Sequence, residues 1–378
     1  MMRIGFDSKR LFNNFTGLGN YSRTLLRNLG KYFRDHEYYL YSPNLSRTPE
    51  TAFFLEKQPF YPKTSNSLFK SYWRSYSIVN QLKKDKIELY HGLSHEIPAG
   101  LKRSKIKSIV TIHDLIFKIY PNLYNFLDRK IYDQKLRYSC TQSDKIIAIS
   151  NNTKSDIINL YHIEPERIEV IYQPCDSIYY EPLEMDNTDD VLTRHKIPQE
   201  YFIYVGNIER RKNLKLIFDA YRQLPPGRRI PLVLIGRGEK YGKEILGMIK
   251  QKGLENTVQW IYNLDDNREL RILYQRSQAL LYPSIYEGFG LPVVEALLSK
   301  TPVITSNVSS LPEAGGPGSI YIDPHDPEAL SEAIIKVSDD SDLRKDMINS
   351  GFEYANRHFN ERESTRKLME CYLNTVND

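Results

Sequence analysis

A glycine-rich turn near residue 288 constrains the fold of this chain more than any other feature. The apolar run Ala279–Tyr282 is typical of a buried strand, and Gly288 and Gly290 interrupt the chain before Pro292. Because proline has a fixed φ that suits the first turn of a helix, we predict a strand, a turn and then a helix N-terminus. Backbone N–H groups at such a terminus favour an anion, above all a phosphate.

Two carboxylates flank this predicted anion site. Glu287 lies in the turn and Glu295 in the first turns of the helix. They would repel a bare phosphate, but they could accept hydrogen bonds from hydroxyl groups on both sides of a diphosphate, as in a sugar nucleotide. The alternative is an ordinary capped helix in which Glu295 complements the helix dipole.

The spacing of these residues resembles a known family. Glu287 and Glu295, with seven residues between them and Gly-Phe-Gly-Leu-Pro inside, resemble the paired-glutamate motif of the retaining glycosyltransferases of family 4. That family has the α/β fold called GT-B, in which two Rossmann-like, doubly wound parallel-sheet domains face a central cleft. The resemblance implies that Glu287 binds sugar hydroxyls, that Glu295 binds ribose hydroxyls, and that the turn contacts the donor through Gly288, Phe289, Gly290 and Leu291.

The length of 378 residues suits two domains, each with its own core. We predict an acceptor-binding domain over residues 1–178 and a nucleotide-sugar donor-binding domain over residues 179–360. The resemblance implies that the last helix, about residues 361–378, packs back on the first domain.

The composition favours a cytosolic protein. No apolar run approaches the ~20 residues of a membrane span, and Arg3–Asp7 enters a strand without a signal peptide before it. Cys140, Cys175 and Cys371 are widely spaced, so we expect free thiols in a reducing compartment.

The charge is distributed unevenly along the chain. Residues 1–180 carry 27 Lys/Arg against 17 Asp/Glu, a net of +10, whereas residues 181–378 carry 25 against 30. The basic first half predicts an anionic partner, either a phosphate-bearing substrate or the inner face of the cell membrane, and no zinc-finger or RNP-type motif favours nucleic acid. The segment predicted to face the membrane contains Phe69, Lys70, Trp73, Arg74, Lys83, Lys84 and Lys86. Alternatively, these residues form helix faces packed on a sheet, with solvated lysines opposite.

A glycine pair also precedes the first predicted helix. Gly17 and Gly19 stand before the apolar pattern of Leu25, Leu26 and Leu29, where glycines would let the backbone approach a phosphate. A dinucleotide fingerprint would need a third glycine where Ser22 stands, so the dehydrogenase interpretation is poor. The segment is similar to the family's Gly-Leu-Gly-Asn-Tyr loop, which implies donor contacts at Gly17 and Gly19, and a plain turn is the alternative.

One histidine follows a predicted strand end. His113 comes directly after the apolar run Ser108–Ile112, and the carboxyl ends of strands in an open α/β sheet line the ligand crevice. His-Asp-Leu at this place is similar to the family's motif, which implies that His113 contacts the donor sugar. A structural role is the alternative, and it is the one favoured for His91 and His95.

Three consecutive cations, Arg210–Lys212, precede a predicted helix in the second half. Cations at a helix N-terminus oppose the helix dipole, so an anion would justify them, and a solvated charge run is the alternative. The segment resembles the family's Gly-x-x-x-x-Arg-Lys-Asn, in which Arg211 and Lys212 would clamp the donor diphosphate. The resemblance implies further donor contacts at Gly206, Gly236 and Leu264.

Together these features predict a retaining, metal-independent glycosyltransferase. It would move a hexose, with mannose favoured, from a GDP- or UDP-sugar to a saccharide or lipid-linked saccharide acceptor in cell-surface polysaccharide, lipopolysaccharide or capsule assembly. No cofactor is expected, because side-chain cations would take the place of a metal and the chain has no Asp-x-Asp motif. The alternatives are a non-catalytic nucleotide-sugar-binding protein, a GT-B epimerase, or a phosphorylase that would need a lysine for pyridoxal phosphate.

Overall fold

The computed structural model describes residues 1–65, 67–181, 188–238, 241–264 and 266–378. They form two compact units: the N-terminal unit, Met1–Pro174 with Glu361–Asp378, and the C-terminal unit, Cys175–Asn360. The first division therefore falls a few residues before the predicted one at residue 178. The reason is visible at the 3₁₀ turn Ser177–Tyr179, where Arg271 Nη1 donates to the Ile178 carbonyl at 2.5 Å.

The N-terminal unit contains a seven-stranded parallel sheet in the order β3-β2-β1-β4-β5-β6-β7. Its strands are β1 Arg3–Asp7, β2 Glu37–Tyr41, β3 Phe60–Lys63, β4 Leu89–Gly92, β5 Lys107–Ile112, β6 Lys145–Ala148 and β7 Ile168–Val170. Its helices are α1 Lys9–Asn13, α2 Gly17–Tyr32, α3 Pro49–Glu56, α4 Lys70–Tyr72, α5 Ile78–Lys84, α6 Leu101–Ser104, α7 Ile116–Ile119, α8 Phe126–Gln142 and α9 Asn151–Tyr161, with a π-helical turn at Trp73–Ser77.

Both faces of this sheet are covered, which explains the apolar strands. On one face, Phe6 and Leu40 pack with Leu26 of α2. On the other face, Val110 packs with Leu82 of α5, Leu136 of α8 and residues of α9. Since the strand order reverses between β1 and β4, the carboxyl ends of these two strands flank the crevice where doubly wound sheets bind ligands.

The C-terminal unit contains a six-stranded parallel sheet in the order β10-β9-β8-β11-β12-β13. Its strands are β8 Phe202–Val205, β9 Leu232–Ile235, β10 Val258–Ile261, β11 Leu280–Tyr282, β12 Val303–Ser306 and β13 Ser319–Ile322. Its helices are α10 Thr188–Arg194, α11 Leu214–Gln223, α12 Gly242–Gln251, α13 Asn267–Arg276, α14 Leu291–Leu298, α15 Leu311–Gly315, α16 Pro327–Asp339 and α17 Ser341–His358. Here the strand order reverses between β8 and β11.

The last helix, α18 Glu361–Asn377, belongs to the N-terminal unit. Glu361 at its start accepts hydrogen bonds from Lys31 Nζ at 2.7 Å and from the Tyr32 hydroxyl at 2.5 Å. Further along, Tyr372 is fully buried and its hydroxyl lies 2.6 Å from His91 Nδ1. Polar contacts at both ends therefore fix this helix on the unit.

The fold class predicted from the sequence, two doubly wound α/β units, agrees with these sheets. Two edge strands, β3 and β13, and helix α17 did not stand out in the sequence. The glycine pair at Gly17 and Gly19 is also placed differently: both lie inside α2 rather than before it. A Cβ on Gly19 would lie 1.7 Å from the Asn14 carbonyl oxygen, so Gly19 is needed for close packing. Among the described residues, no helix is both long and apolar enough to cross a bilayer.

Candidate functional site

The loops that follow β8 and β11 bring the predicted donor residues together in the C-terminal unit. Gly206 follows β8 with φ +146°, and Gly236 follows β9 with φ +150°. A Cβ on Gly236 would lie 2.0 Å from the Gly206 carbonyl oxygen. Glycine is therefore required here, because the two turns touch through their backbones.

Arg211, Lys212 and Glu287 form one ion cluster at this strand-order reversal, in which Lys212 and Glu287 are buried and Arg211 is half-buried. Arg211 Nη1 lies 2.7 Å from Glu287 Oε2, and Lys212 Nζ lies 2.6 Å from Glu287 Oε1. The two loops are also joined through the backbone, since the Ile285 N–H donates to the Arg211 carbonyl at 2.9 Å. Arg210 is not part of the cluster: it pairs on the surface with Glu244.

A tyrosine at the end of β11 completes the cluster. Lys212 Nζ donates to the Tyr282 hydroxyl, which in turn donates to Glu287 Oε1 at 3.1 Å. The Tyr282 ring is fully buried and stacks on Tyr204 of β8, with 6.0 Å between the ring centroids. Tyr282 is thus held rigidly between the lysine and the carboxylate.

The charged groups of the cluster shift one another's pKa values. Burial alone would raise the pKa of Glu287, but Arg211 and Lys212 outweigh it and lower that pKa to about 2. Burial, together with the nearby Arg211, lowers the pKa of Lys212 to about 8 against the attraction of Glu287. At neutral pH the carboxylate and both cations are therefore charged, and the three side chains together carry a net positive charge.

The turn before α14 is held by serines of the loop after β12. The Glu287 N–H donates to Ser309 Oγ at 3.0 Å, and Ser310 Oγ lies 2.8 Å from both the Glu287 and the Phe289 carbonyl oxygens. Gly290, with φ +112°, is the N-cap of α14, as expected for a turn that glycine permits. The Phe289 side chain points into the core against Phe359, with ring centroids 5.3 Å apart. The Phe289 ring is therefore part of the core and is not presented to a ligand.

Glu295 lies in the second turn of α14, apart from the ion cluster. The Tyr274 hydroxyl of α13 donates to Glu295 Oε2 at 3.2 Å. Burial, with a smaller contribution from Asp176, raises the pKa of Glu295 to about 7. A carboxyl group held in this way accommodates its own charge poorly near neutral pH, and such groups are enriched at functional sites.

The remaining predicted donor residues lie at the carboxyl ends of β9 and β10. Trp260 of β10 donates from Nε1 to the Gly236 carbonyl at 2.8 Å, which fixes the turn after β9. Leu264 is half-buried in the loop after β10. Their contact with a nucleotide stays a prediction.

Both halves of the chain match known family models. The Glycosyltransferase Family 4 model matches residues 15–177, and the Glycosyl transferases group 1 model matches residues 189–354. This chain is a family 4 glycosyltransferase. Membership of family 4, predicted from the sequence, is thereby confirmed.

Similar proteins align with this glycosyltransferase over nearly its full length. The O-antigen chain mannosyltransferase B of Escherichia coli is 28% identical and aligns over 98% of this chain and 99% of its own length. A solved glycosyltransferase from Rickettsia africae has a TM-score of 0.79 at 18% identity, over 100% of this chain and 99% of its own. Anabaena Alr3699/HepE in complex with UDP has a TM-score of 0.77 at 16% identity, over 99% and 100%. These structures confirm the GT-B fold class.

In the N-terminal unit of the glycosyltransferase, His113 lies directly after β5 and is buried. Its Nε2 lies 2.9 Å from the Leu93 carbonyl oxygen, and because a carbonyl only accepts, Nε2 carries the proton. Burial, with the neighbouring His95, lowers the pKa of His113 to about 3. The imidazole is therefore neutral, and Nδ1 is left as a hydrogen-bond acceptor.

His91 is structural in this glycosyltransferase, in line with the interpretation favoured from the sequence. Its Nδ1 contacts the Tyr372 hydroxyl at 2.6 Å and its Nε2 contacts Thr111 Oγ1 at 2.8 Å. Both ring nitrogens are thus used inside the core, between α18 and β5.

Four residues of the predicted membrane-facing segment, Trp73, Arg74, Lys83 and Lys84, do not form one exposed surface with Phe69. Trp73 is only 6% exposed and belongs to the core, because its side of the helix packs on the sheet. Arg74 donates to Asp7 and, at 2.7 Å, to Glu96. Lys83 and Lys84 end α5 beside Arg3, the first residue of β1, and so lie at the opposite edge of the sheet from Phe69. The prediction that these residues form one continuous membrane-facing surface is therefore wrong.

Four residues that contact Glu287 or Glu295 were not among the predicted site residues, namely Tyr274, Tyr282, Ser309 and Ser310. Tyr282 ends the apolar strand before the glycine turn, and that place at a strand end was the signal available. Ser309 and Ser310 precede the Leu-Pro that starts a short helix, and a serine before such a helix start indicates no more than a cap. Tyr274 gave no signal, because its contact with Glu295 depends on how α13 packs against α14.

Proposed function

We propose that this glycosyltransferase transfers a hexosyl group, with retention of anomeric configuration, from a nucleotide-diphosphate sugar to an acceptor hydroxyl. The observation that carries the proposal is the Arg211–Lys212–Glu287 cluster, which lies beside the N-terminus of α14. Two cations and a helix N-terminus at one strand-order reversal favour a diphosphate.

The cluster keeps hydrogen-bond donors for such a ligand. Arg211 uses Nε toward Glu209 and Nη1 toward Glu287, and within the described part of the chain no group accepts from Nη2. Lys212 uses two of its three N–H groups, toward Tyr282 and Glu287. The remaining donors would stabilise the charge that builds on the β-phosphate as the sugar leaves, and one such contact is typically worth roughly 3 to 4 kcal/mol.

The two glutamates would then bind different parts of the donor. Glu287 stays ionised because of its two cations, so it would accept hydrogen bonds from sugar hydroxyls next to the diphosphate. Glu295 would accept from the ribose hydroxyls, which would compensate the burial of its charge. His113, neutral and with Nδ1 as an acceptor, suits a sugar hydroxyl better than an anion.

Metal independence is part of the proposal. Arg211 and Lys212 provide the positive charge that a bound metal ion supplies in other transferases. Within residues 1–65, 67–181, 188–238, 241–264 and 266–378, no group of three or more His, Cys, Asp or Glu side chains is arranged to hold a metal ion. We propose that activity does not require one.

The donor and pathway follow the relatives. Because the full-length relative from Escherichia coli is an O-antigen chain mannosyltransferase, we propose mannose as the transferred sugar and a cell-surface polysaccharide as the product. GDP and UDP both remain candidate nucleotides, since UDP is bound by the similar Anabaena protein. We further propose that the acceptor is a lipid-linked saccharide, that the N-terminal unit binds it, and that the enzyme acts at the inner face of the cell membrane.

The test is incubation of the pure protein with a panel of GDP- and UDP-sugars, with and without chelator, followed by detection of released nucleotide. We expect slow hydrolysis of one donor, and GDP-mannose is the first candidate. With an acceptor, NMR of the product should show the anomeric configuration of the donor. Release from no donor would favour a non-catalytic binding protein, and an inverted product would refute retention.

A further inference from the structure

Helix α8 is apolar on two sides, although only one side can face the core. Its inner side buries Leu136 and Cys140 against the sheet. On its outer side, Leu127 is 72% exposed and Ile131 is 51% exposed. These two residues are four positions apart and so lie on one face of the helix, next to the exposed ring of Phe126.

A second exposed apolar cluster lies at the start of the helical segment that follows β3. Phe69 is 76% exposed, and Tyr72 and Tyr76 are 60% and 56% exposed. The two tyrosine rings stack with their centroids 5.1 Å apart. Exposed aromatic rings that pack on one another form a surface rather than scattered single residues.

Both clusters lie at the same edge of the N-terminal unit. Arg74, two residues after Tyr72, contacts Asp7 at the end of β1. It shares Glu96 with Lys135 of α8, whose Nζ is 3.3 Å from Glu96 Oε2. Glu96 follows β4, so these contacts lie at the carboxyl edge of the sheet. Leu127 precedes Lys135 by eight helical residues, or about 12 Å along the helix, and therefore extends beyond that edge.

The charges around the clusters are mainly positive. Lys130 Nζ lies 4.5 Å from the centroid of the Phe126 ring and the Arg129 guanidinium lies 5.6 Å from it, while Lys70 is exposed beside Phe69. Of the neighbouring carboxylates, Glu96 is paired with cations and Asp133 is bound by Lys118. Asp128, next to Leu127, is exposed and accepts from Asn125 Nδ2 at 3.3 Å, so it offsets one of these three cations. Apolar and aromatic side chains flanked by cations are typical of helices that lie in the interface of an anionic membrane.

We propose that an apolar edge patch, Phe69, Tyr72, Tyr76, Phe126, Leu127 and Ile131, docks the N-terminal unit on an anionic lipid surface. The inference rests on the proposed function in one respect: a lipid-linked acceptor gives such docking its purpose. Docking at this edge directs the carboxyl ends of β1, β4 and β5, and with them His113, toward the membrane. A lipid-linked saccharide would then reach the crevice without leaving the bilayer.

The test is co-sedimentation of the full chain with vesicles of phosphatidylglycerol and phosphatidylcholine, or of phosphatidylcholine alone, at low and high salt. We expect wild-type protein to bind the anionic vesicles at low salt and to be released largely at high salt. The double variant Leu127→Glu/Ile131→Glu should lose at least three quarters of the bound fraction. The matched control is Leu373→Glu, an exposed leucine on α18 of the same unit, which should bind as wild type does.

Two further measurements keep the outcomes distinct. Donor hydrolysis without vesicles should be the same in the double variant and the wild type, which shows that the variant is folded. Docking with no hydrolysis of any donor would overturn the proposed function and leave the docking surface intact. Hydrolysis without binding to anionic vesicles would overturn the docking surface. A wild-type dimer that the double variant converts to a monomer, with no vesicle binding, would also overturn it, because the patch would then join two copies of the chain.

Discussion

Replacing Glu295 with glutamine should stabilise the empty enzyme while weakening its binding of nucleotide. Burial raises the pKa of Glu295 from 4.5 to about 7, so at pH 8 the folded protein carries a carboxylate in a site that favours the neutral form. A raised carboxyl pKa gives stability that is fully present below pH 4.5 and is lost as the pH rises through 7. Glutamine cannot ionise and can still accept from the Tyr274 hydroxyl.

The size of the effect follows from the shift. At 1.36 kcal/mol per pKa unit, a shift of this size corresponds to roughly 3 kcal/mol, and because part of the residue reaches solvent we expect about 2 kcal/mol. For a unit of this size, the melting temperature at pH 8 should rise by roughly 4 to 8 °C. At pH 5, where Glu295 is already neutral in the folded protein, the variant and the wild type should melt within about 2 °C of each other.

The assay is thermal unfolding between pH 5 and pH 8, with titration of GDP and UDP at pH 8. The variant should bind nucleotide roughly 10-fold or more weakly, since it loses a charged acceptor for the ribose hydroxyls. The control is Glu332→Gln, an exposed glutamate on α16, which should change neither property. The reasoning is refuted if the wild type and Glu295→Gln lose stability equally between pH 5 and pH 8.

The remaining predictions concern the ion cluster. Arg211→Ala and Lys212→Ala should each lower turnover at saturating donor by ~100-fold or more, and unchanged rates would contradict the proposed clamp. Lys212→Ala should also destabilise the fold by about 3 kcal/mol, because Glu287 is left buried with one cation fewer; denaturant unfolding that showed no loss would argue against a buried pair. Tyr282→Phe should lower turnover by roughly 10-fold, because the hydroxyl that contacts Lys212 and Glu287 is lost. The control is Tyr204→Phe, which removes a buried hydroxyl bound to a backbone carbonyl and should change turnover less than about 2-fold. Equal effects of the two substitutions would show that Tyr282 does not position the cluster. Activity should survive EDTA, and loss of activity that magnesium or manganese restores would contradict metal independence.

Local rules were enough to find most of the strands and the turn that builds the site. The buried strands of a parallel sheet are short apolar runs, and the glycines and proline around Gly290 mark the start of α14 at its observed place. Edge strand β3 was missed because Phe60–Lys63 contains a proline and lacks such a run. The burial of side chains outside the strands was harder to predict. In the aromatic and basic segment that forms α4, the π-helical turn and α5, some residues lie in the core and others on the surface.

The sequence by itself determined the family and the two-unit organisation, because strand–turn–helix punctuation and motif spacing are local properties of the chain. The roles of the predicted donor residues stay predictions. Only the tertiary structure decided what these residues do to one another. Arg211 and Glu287 are 76 positions apart, and they meet because the strand order reverses between β8 and β11. That meeting lowers the pKa of Glu287 to about 2 and buries Lys212, whereas burial where α13 packs on α14 raises the pKa of Glu295 to about 7. Burial and charge depend on neighbours in space, so the pKa values of two glutamates that look equivalent in the motif shift in opposite directions in the fold.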